Sequence, residues 1–228
     1  MSKETPLING HYYHIYNRGN NGENLFPEEE NYYYFLKLYT RYIYPIADTY
    51  AYCLMKNHFH LMVRINPKPD LPGFKNLEGL NPNREPNLPG LEDLEGLTSH
   101  SYSQPFSNLF NAYSKAINKA YGRSGSLFEK NFNRILIDTD RYFVHLISYI
   151  HRNPQKHGFT DDFRSYPYSS YQIIRQQKQS RIEHQQVLQW FGSMLSFENY
   201  HQQFDEGQLQ HLIENDNYPS FEASTVLV

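Results

Sequence analysis

NHFHLMVRI, residues 57–65, has the length and the β-branched and aromatic content of a strand. Successive side chains of a strand point to opposite faces. Phe59, Leu61, Val63 and Ile65 therefore make one continuous apolar face, and His58, His60, Met62 and Arg64 make the other. A half-buried strand ordinarily fills its second face with Thr, Ser or Lys. Here two imidazoles share that face, with Cα atoms about 6.6 Å apart at a rise of about 3.3 Å per residue. That separation lets two ring nitrogens converge on one small ion. An isolated His-x-His is more often a pair of ordinary hydrogen-bonded histidines than a ligand pair. The wholly apolar opposite face, which fixes the direction of both rings, and the polar Asn57 before them point the other way.

Reading outward, HYYHIYNRG at 11–19 is a strand ending in the turn-forming RGNNGEN. PEEENYYYFLKLYTRYI at 27–43 reads as a helix, with Pro27 and three glutamates where the helix dipole favours negative charge. DTYAYCLMK is a second strand, joined to HFHLMVRI by the polar step Lys56–Asn57. Residues 66–100 differ in kind: rich in Pro, Gly and Asn and repeating LEGL, they read as a flexible surface insertion. From Ser101 to Tyr121 apolar residues recur at helical spacing, NFNRILIDT is a short strand, and Asp138, Thr139 and Asp140 offer caps for a helix through RYFVHLISYIHRN. The order βαββαβ, with a further helix, predicts an α+β, ferredoxin-like (RRM-like) core with a four-stranded antiparallel sheet in which HFHLMVRI is central. The expected division is a core at 1–65 and 101–164, the insertion at 66–100, and a helical C-terminal appendage at 165–228.

Composition bounds the function. The chain has 228 residues, 39% hydrophobic and 16% aromatic, with 21 tyrosines. That is enough for a large packed core. Cys53 is the only cysteine, which excludes an intramolecular disulfide or a thiolate cluster and suggests a reducing compartment. No apolar run is long enough for a signal segment or a membrane span, so a membrane role is not expected. The formal net charge of −3 conceals an asymmetry. Between Asn111 and His157 eight basic residues face three acidic ones, net +5, whereas from Arg181 onward one faces seven, net −6.

Two histidines do not complete a site, and the helix after Asp140 supplies further candidates. With Leu146 at 0° and about 100° per residue, Tyr142, Phe143, Leu146 and Ile150 form the stripe that packs on the sheet. Tyr149 falls at its edge and Asn153, four residues on, is its neighbour on the same surface. Asn153 precedes Pro154, so the helix is expected to end or kink there.

These segments together resemble the single-tyrosine HUH transposases of insertion sequences, and in particular the REP-associated tyrosine transposases. HIYNRGNN resembles the family's first strand and turn, and AYCLMKNHFHLMV its AYxLMPNHxHLLV strand pair. NKAYGRSGSLFEKNFNRILID resembles its helix–loop–strand, SYIHRNPQKHGF its YIxxNPVKAG helix end, and YPYSSY its YPWSSY exit. The likeness covers roughly 11–65 and 101–171, in order and at matching spacing. Lys56 replaces the family's usual Pro, a loop change expected to be harmless.

The resemblance implies a metal-dependent transesterase acting on single-stranded DNA beside a REP-like or insertion-end hairpin. By position, Tyr149 matches the nucleophile, His58 and His60 the metal-binding histidines, and Asn153 the third, polar ligand. His14, in the first strand, receives no role beyond possible proximity. Neutral imidazoles and an amide oxygen leave an ion its full charge and suit Mg²⁺ or Mn²⁺. Attack by Tyr149 would give a 5′-phosphotyrosine and a free 3′-OH, keeping the ester energy for rejoining. Arg18, Arg123, Lys130, Arg134 and Lys156 are the candidate DNA contacts, because cations interleaved with aromatics suit a single strand. A bacterial, cytoplasmic, nucleoid-associated monomer or homodimer is the implied setting. The alternative is a hairpin-binding regulator on the same fold that does not cut. A replication or mobilisation nuclease would ordinarily carry a third histidine or a second tyrosine, and a small-molecule hydrolase a carboxylate beside the histidines.

Overall fold

The computed structural model describes residues 5–66 and 93–204; most of the expected insertion, and the acidic end of the chain, lie outside these. Strand β1 (Tyr12–Arg18) leads to helix α1 (Glu29–Tyr42), strands β2 (Ala47–Met55) and β3 (His58–Ile65), helix α2 (Asp93–Ala120), strand β4 (Asn133–Ile137) and helix α3 (Asp140–Lys156). Three shorter helices follow: α4 (Tyr171–Arg175), α5 (His184–Phe191) and α6 (Met194–Gln203). The sheet order is β2-β3-β1-β4, every neighbouring pair antiparallel, which is the expected ferredoxin-like arrangement with β1 and β3 central.

Local chemistry accounts for the element ends. The Glu28 N–H donates to Asn31 Oδ1 at 2.9 Å, closing a capping box before α1. Met55 pairs with His58, so Lys56–Asn57 is the two-residue loop of a hairpin. Helix α2, expected from Ser101, begins at Asp93. Helix α3 does not end at Asn153 but runs on to Lys156 with Pro154 inside it. The Asn153 carbonyl still accepts from the His157 N–H at 3.0 Å, and that of Pro154 from Phe159 at 2.8 Å.

Each face of the sheet is covered. On the apolar face of β3, Phe59 packs against Phe35 of α1 and Phe110 of α2, with ring centroids 5.4 and 5.5 Å apart. Residues of this face are buried, so deleting the Phe59 ring would cost about 3–5 kcal/mol. The histidine face lies under α3 and α5. Phe143 of α3 stacks on Trp190 of α5 at 4.7 Å, and both meet Tyr12 of β1, at 4.7 and 5.7 Å. The segment YPYSSY clasps the open edge of β2. Leu54 N–H donates to the Tyr168 carbonyl, Ser170 N–H to that of Tyr52, and the Tyr166 hydroxyl to that of Leu54. An otherwise unpaired edge is thereby closed by the chain itself.

A buried chain of hydrogen bonds ties the appendage to this frame. His201 Nδ1 donates to the Phe197 carbonyl at 2.7 Å, which leaves Nε2 to accept from His151 Nδ1 at 2.8 Å. His151 Nε2 then accepts from the Ser170 hydroxyl at 2.8 Å, and that oxygen accepts from the Tyr52 N–H at 2.9 Å. Every link requires neutral imidazoles. Burial pulls His201 down to about 3, with Arg152 adding to the shift against the bond to Phe197. Burial and then His201 pull His151 well below its ordinary value. The unfolded chain binds protons on these groups from about pH 6.5 downward while the folded chain does not, so stability is full above that pH and falls below it. Each such histidine contributes about 1.4 kcal/mol of lost stability per pH unit. Urea midpoints measured between pH 7.5 and 4.5 are expected to fall below pH 6.5, and His201→Leu to make the decline shallower; a profile flat over that range contradicts the neutral chain.

Candidate active site

The central strands and α3 bring together the residues that the alternation and the helical wheel singled out. Tyr16 lies across from His60 and Arg18 across from His58 in the β1–β3 register. The three residues Tyr149, Asn153 and His157 follow one another at four-residue intervals along one face of α3 and its C-cap. At one end the Tyr149 ring stands edge-on to His60 at 5.5 Å and to His14 at 6.2 Å. At the other the His157 ring stands edge-on to His58 at 4.9 Å. Asn153 lies one turn from each. All four expected residues, His58, His60, Tyr149 and Asn153, are buried, whereas His157 is half-buried and Lys156 exposed at the rim.

Hydrogen bonds set the ring orientations. Asn57 Oδ1 accepts from His58 Nδ1 at 2.7 Å, which leaves Nε2 as the nitrogen able to ligate. His60 Nδ1 meets His14 Nε2 at 2.9 Å. A ligating His60 Nε2 requires the shared proton on His60 Nδ1, and His14 then carries its own on Nδ1, an atom with no hydrogen-bond partner among the described residues. The Asn153 amide is held through Nδ2, which donates to the Tyr149 carbonyl at 3.0 Å. Its buried Oδ1 has no partner among the described residues. An acceptor left unpaired in this way costs about 1–3 kcal/mol. A cation is a partner that such an oxygen is suited to receive, and an amide oxygen with two neutral imidazoles is a donor set whose chemistry fits a divalent ion. Among the described residues no three His, Cys, Asp or Glu side chains already converge as a metal group. The set with Asn as third donor lies outside that class.

Electrostatics keeps the imidazoles in the ligating form. Burial, then His157 and Arg18, lowers His58 to about 3. Burial, then His14, His58, His157 and Lys156, holds His60 well below its ordinary value, and burial alone lowers His14 to about 3.

The candidate DNA contacts separate into two groups. Arg18 stands opposite His58 and pairs with Glu129, and Lys156 Nζ lies 5.6 Å from the centre of the Tyr149 ring, so these two border the site. Arg134 does not. Its register partner is Ile15, which places it on the opposite face, stacked 4.8 Å over Phe132 and donating to Ser103. There it lines a cavity of about 470 Å³ with Lys115 and Asn118 of α2. Arg123 is engaged by Glu23 and Asn118, and Lys130 is exposed in the loop before β4. Sequence reasoning missed His14 as a partner of His60, and it missed His157. The first depends on strand register; the second was legible as a further four-residue step from Asn153.

Among the described residues no helix is long and apolar enough to cross a membrane. No family model matches the chain, and neither does any curated protein. Among solved structures, the chain is similar to the REP-associated tyrosine transposase bound to a REP hairpin, with a TM-score of 0.51 and 14% identity over 76% of this chain and 84% of that one. At that identity the likeness establishes a shared fold: the chain adopts the α+β architecture of the REP-associated tyrosine transposase.

Proposed function

We propose that the protein cleaves and rejoins single-stranded DNA beside a hairpin through a covalent bond to Tyr149. The observation that carries this reading is the seating of the Tyr149 ring against His60 and His14 on the central strands, one helical turn from the unpaired Asn153 oxygen. The shared fold with a hairpin-bound tyrosine transposase supports it. His58 Nε2, His60 Nε2 and Asn153 Oδ1 would hold Mg²⁺ or Mn²⁺. Such an ion neutralises and polarises a phosphodiester.

The remaining work falls to the chain. The Tyr149 oxygen forms a bond to phosphorus as the bond from phosphorus to the 3′-oxygen breaks. The phenol loses a proton and the departing 3′-oxygen gains one. The product is a 5′-phosphotyrosine and a 3′-OH, and the reverse step regenerates tyrosine and joins a new end. His14 Nε2 positions His60 by accepting a hydrogen bond from its Nδ1–H. Arg18 and Lys156 receive the DNA backbone at the rim.

The burial of Tyr149 and Asn153 favours a second reading, in which the chain binds hairpins as a regulator without cutting. An oligonucleotide carrying a REP-like hairpin and a single-stranded flank, incubated with Mn²⁺, separates the two. A denaturant-resistant adduct is expected from the wild type, and none from Tyr149→Phe or in the presence of a chelator. Salt-dependent binding with no adduct would establish the regulator, and an adduct persisting in Tyr149→Phe would refute the assignment.

Stability tests Asn153 separately. A residue kept for structure loses stability when replaced, whereas Asn153→Leu removes an unsatisfied acceptor. Its unfolding free energy is expected within about 1 kcal/mol of the wild type, or above it, with adduct formation abolished. A loss beyond about 2 kcal/mol with adduct formation intact would make Asn153 a structural residue.

A further inference from the structure

We infer that His157 is a further ligand of the same centre, which makes it nitrogen-rich and inclines it toward later first-row divalent ions rather than Mg²⁺. This rests on the reading of His58, His60 and Asn153 as metal ligands. Two imidazoles bound side by side to one ion, with metal–nitrogen bonds of about 2.1 Å and an angle of about 90–110° at the ion, hold their ring centroids about 4.6–5.3 Å apart. The His58–His157 and His58–His60 centroids are 4.9 and 5.3 Å apart, each pair near perpendicular. His157 is also the step after Asn153 on the helix surface that bears Tyr149, so any ion held by Asn153 lies within a turn of it.

The rings do not yet converge on one point, and recruitment of His157 requires a side-chain rotation. Its place permits one. His157 is half-buried, it is the C-cap of α3, and Gly158 follows with a φ of +69°, a conformation that ends the helix. The simpler account is that His157 is only a cap whose ring complements the negative end of the helix. It leaves unexplained why that cap faces the very imidazole that Asn57 orients.

Three imidazoles and one amide oxygen form a set suited to Co²⁺, Ni²⁺ or Zn²⁺, whereas two imidazoles and an amide leave more of the shell to oxygen, as Mg²⁺ and Mn²⁺ prefer. The full chain is therefore titrated with Co²⁺ and, separately, with Mg²⁺, following heat by calorimetry and the visible Co²⁺ absorption. Wild type, His157→Ala, His157→Asn and His58→Ala are compared, with thermal unfolding confirming that each is folded. Both His157 variants are expected to weaken Co²⁺ binding about tenfold or more and to change its visible spectrum, while altering Mg²⁺ binding less than about twofold. His58→Ala is expected to abolish both. If His58→Ala loses Co²⁺ but the His157 variants match the wild type in affinity and spectrum, His157 is a cap alone and the inference falls. If His58→Ala also binds as the wild type does, the metal centre itself is refuted and this inference with it.

Discussion

An imidazole buried between a sheet and a helix has to be neutral, and its N–H and its lone pair each need a partner of the matching kind. That constraint governs the whole second face of this sheet. His14, His58 and His60 lie on the two central strands under α3, and His151 and His201 tie the appendage to the same helix from its other side. Seven of their nitrogens are committed by neighbours: His58 Nδ1 to Asn57, His60 Nδ1 and His14 Nε2 to each other, His201 Nδ1 to the Phe197 carbonyl, His201 Nε2 and His151 Nδ1 to each other, and His151 Nε2 to Ser170. Among the buried side-chain atoms of the described residues with no hydrogen-bond partner, two, His14 Nδ1 and Asn153 Oδ1, belong to residues flanking Tyr149. The structural histidine chain is closed, whereas the one on the strands is open at the edge of the candidate site. The two clusters share burial and differ in this respect.

The same face divides along its length. At the end near Tyr12 and Tyr50, four aromatic rings including Phe143 and Trp190 pack closely, and two of them, Phe143 and Trp190, stack nearly parallel at 9°. At the other end the face is imidazole and amide. One half of α3 is therefore nailed to the sheet by apolar burial, and the other half presents Tyr149, Asn153 and His157. Rigid placement of a reactive group needs such an anchor, because a site held only by its own polar contacts is too loose to be precise. Coverage of β2 by YPYSSY adds to the frame by tying the chain after α3 back to the sheet.

Much of this was legible because it depends on short-range rules. Strict alternation sorted Phe59 and Leu61 from His58 and His60, the glutamates marked the start of α1, and Lys56–Asn57 marked the junction of two strands. Tyr149 and Asn153 were paired by helical spacing alone, and the spacing held through Pro154 because the helix continues past it. The failures share a cause too. The His14–His60 contact and the displacement of Arg134 to the opposite face are consequences of register between β1 and its neighbours, which no local pattern encodes. Positive charge along the segment suggested one DNA surface, but alternation within β4 sends Arg134 away from Lys156.

The burial of Tyr149 bears on how any substrate would reach it. Proline at 154 cannot donate to the Ile150 carbonyl, so the turn carrying Asn153 and His157 is held by one backbone bond fewer than a regular helix. The end of the helix is closed by bonds from His157 to Asn153, from Gly158 to Gln155 and from Phe159 to Pro154. The aromatic anchor lies at the opposite end of the helix, around Phe143. Local opening costs least where the apolar contacts are fewest, so loosening at this end of α3 would shift exposed Lys156 at the rim before it disturbed the packed half. A helix pinned at one end and weakened at the other can keep the tyrosine in register with the histidines while its rim yields.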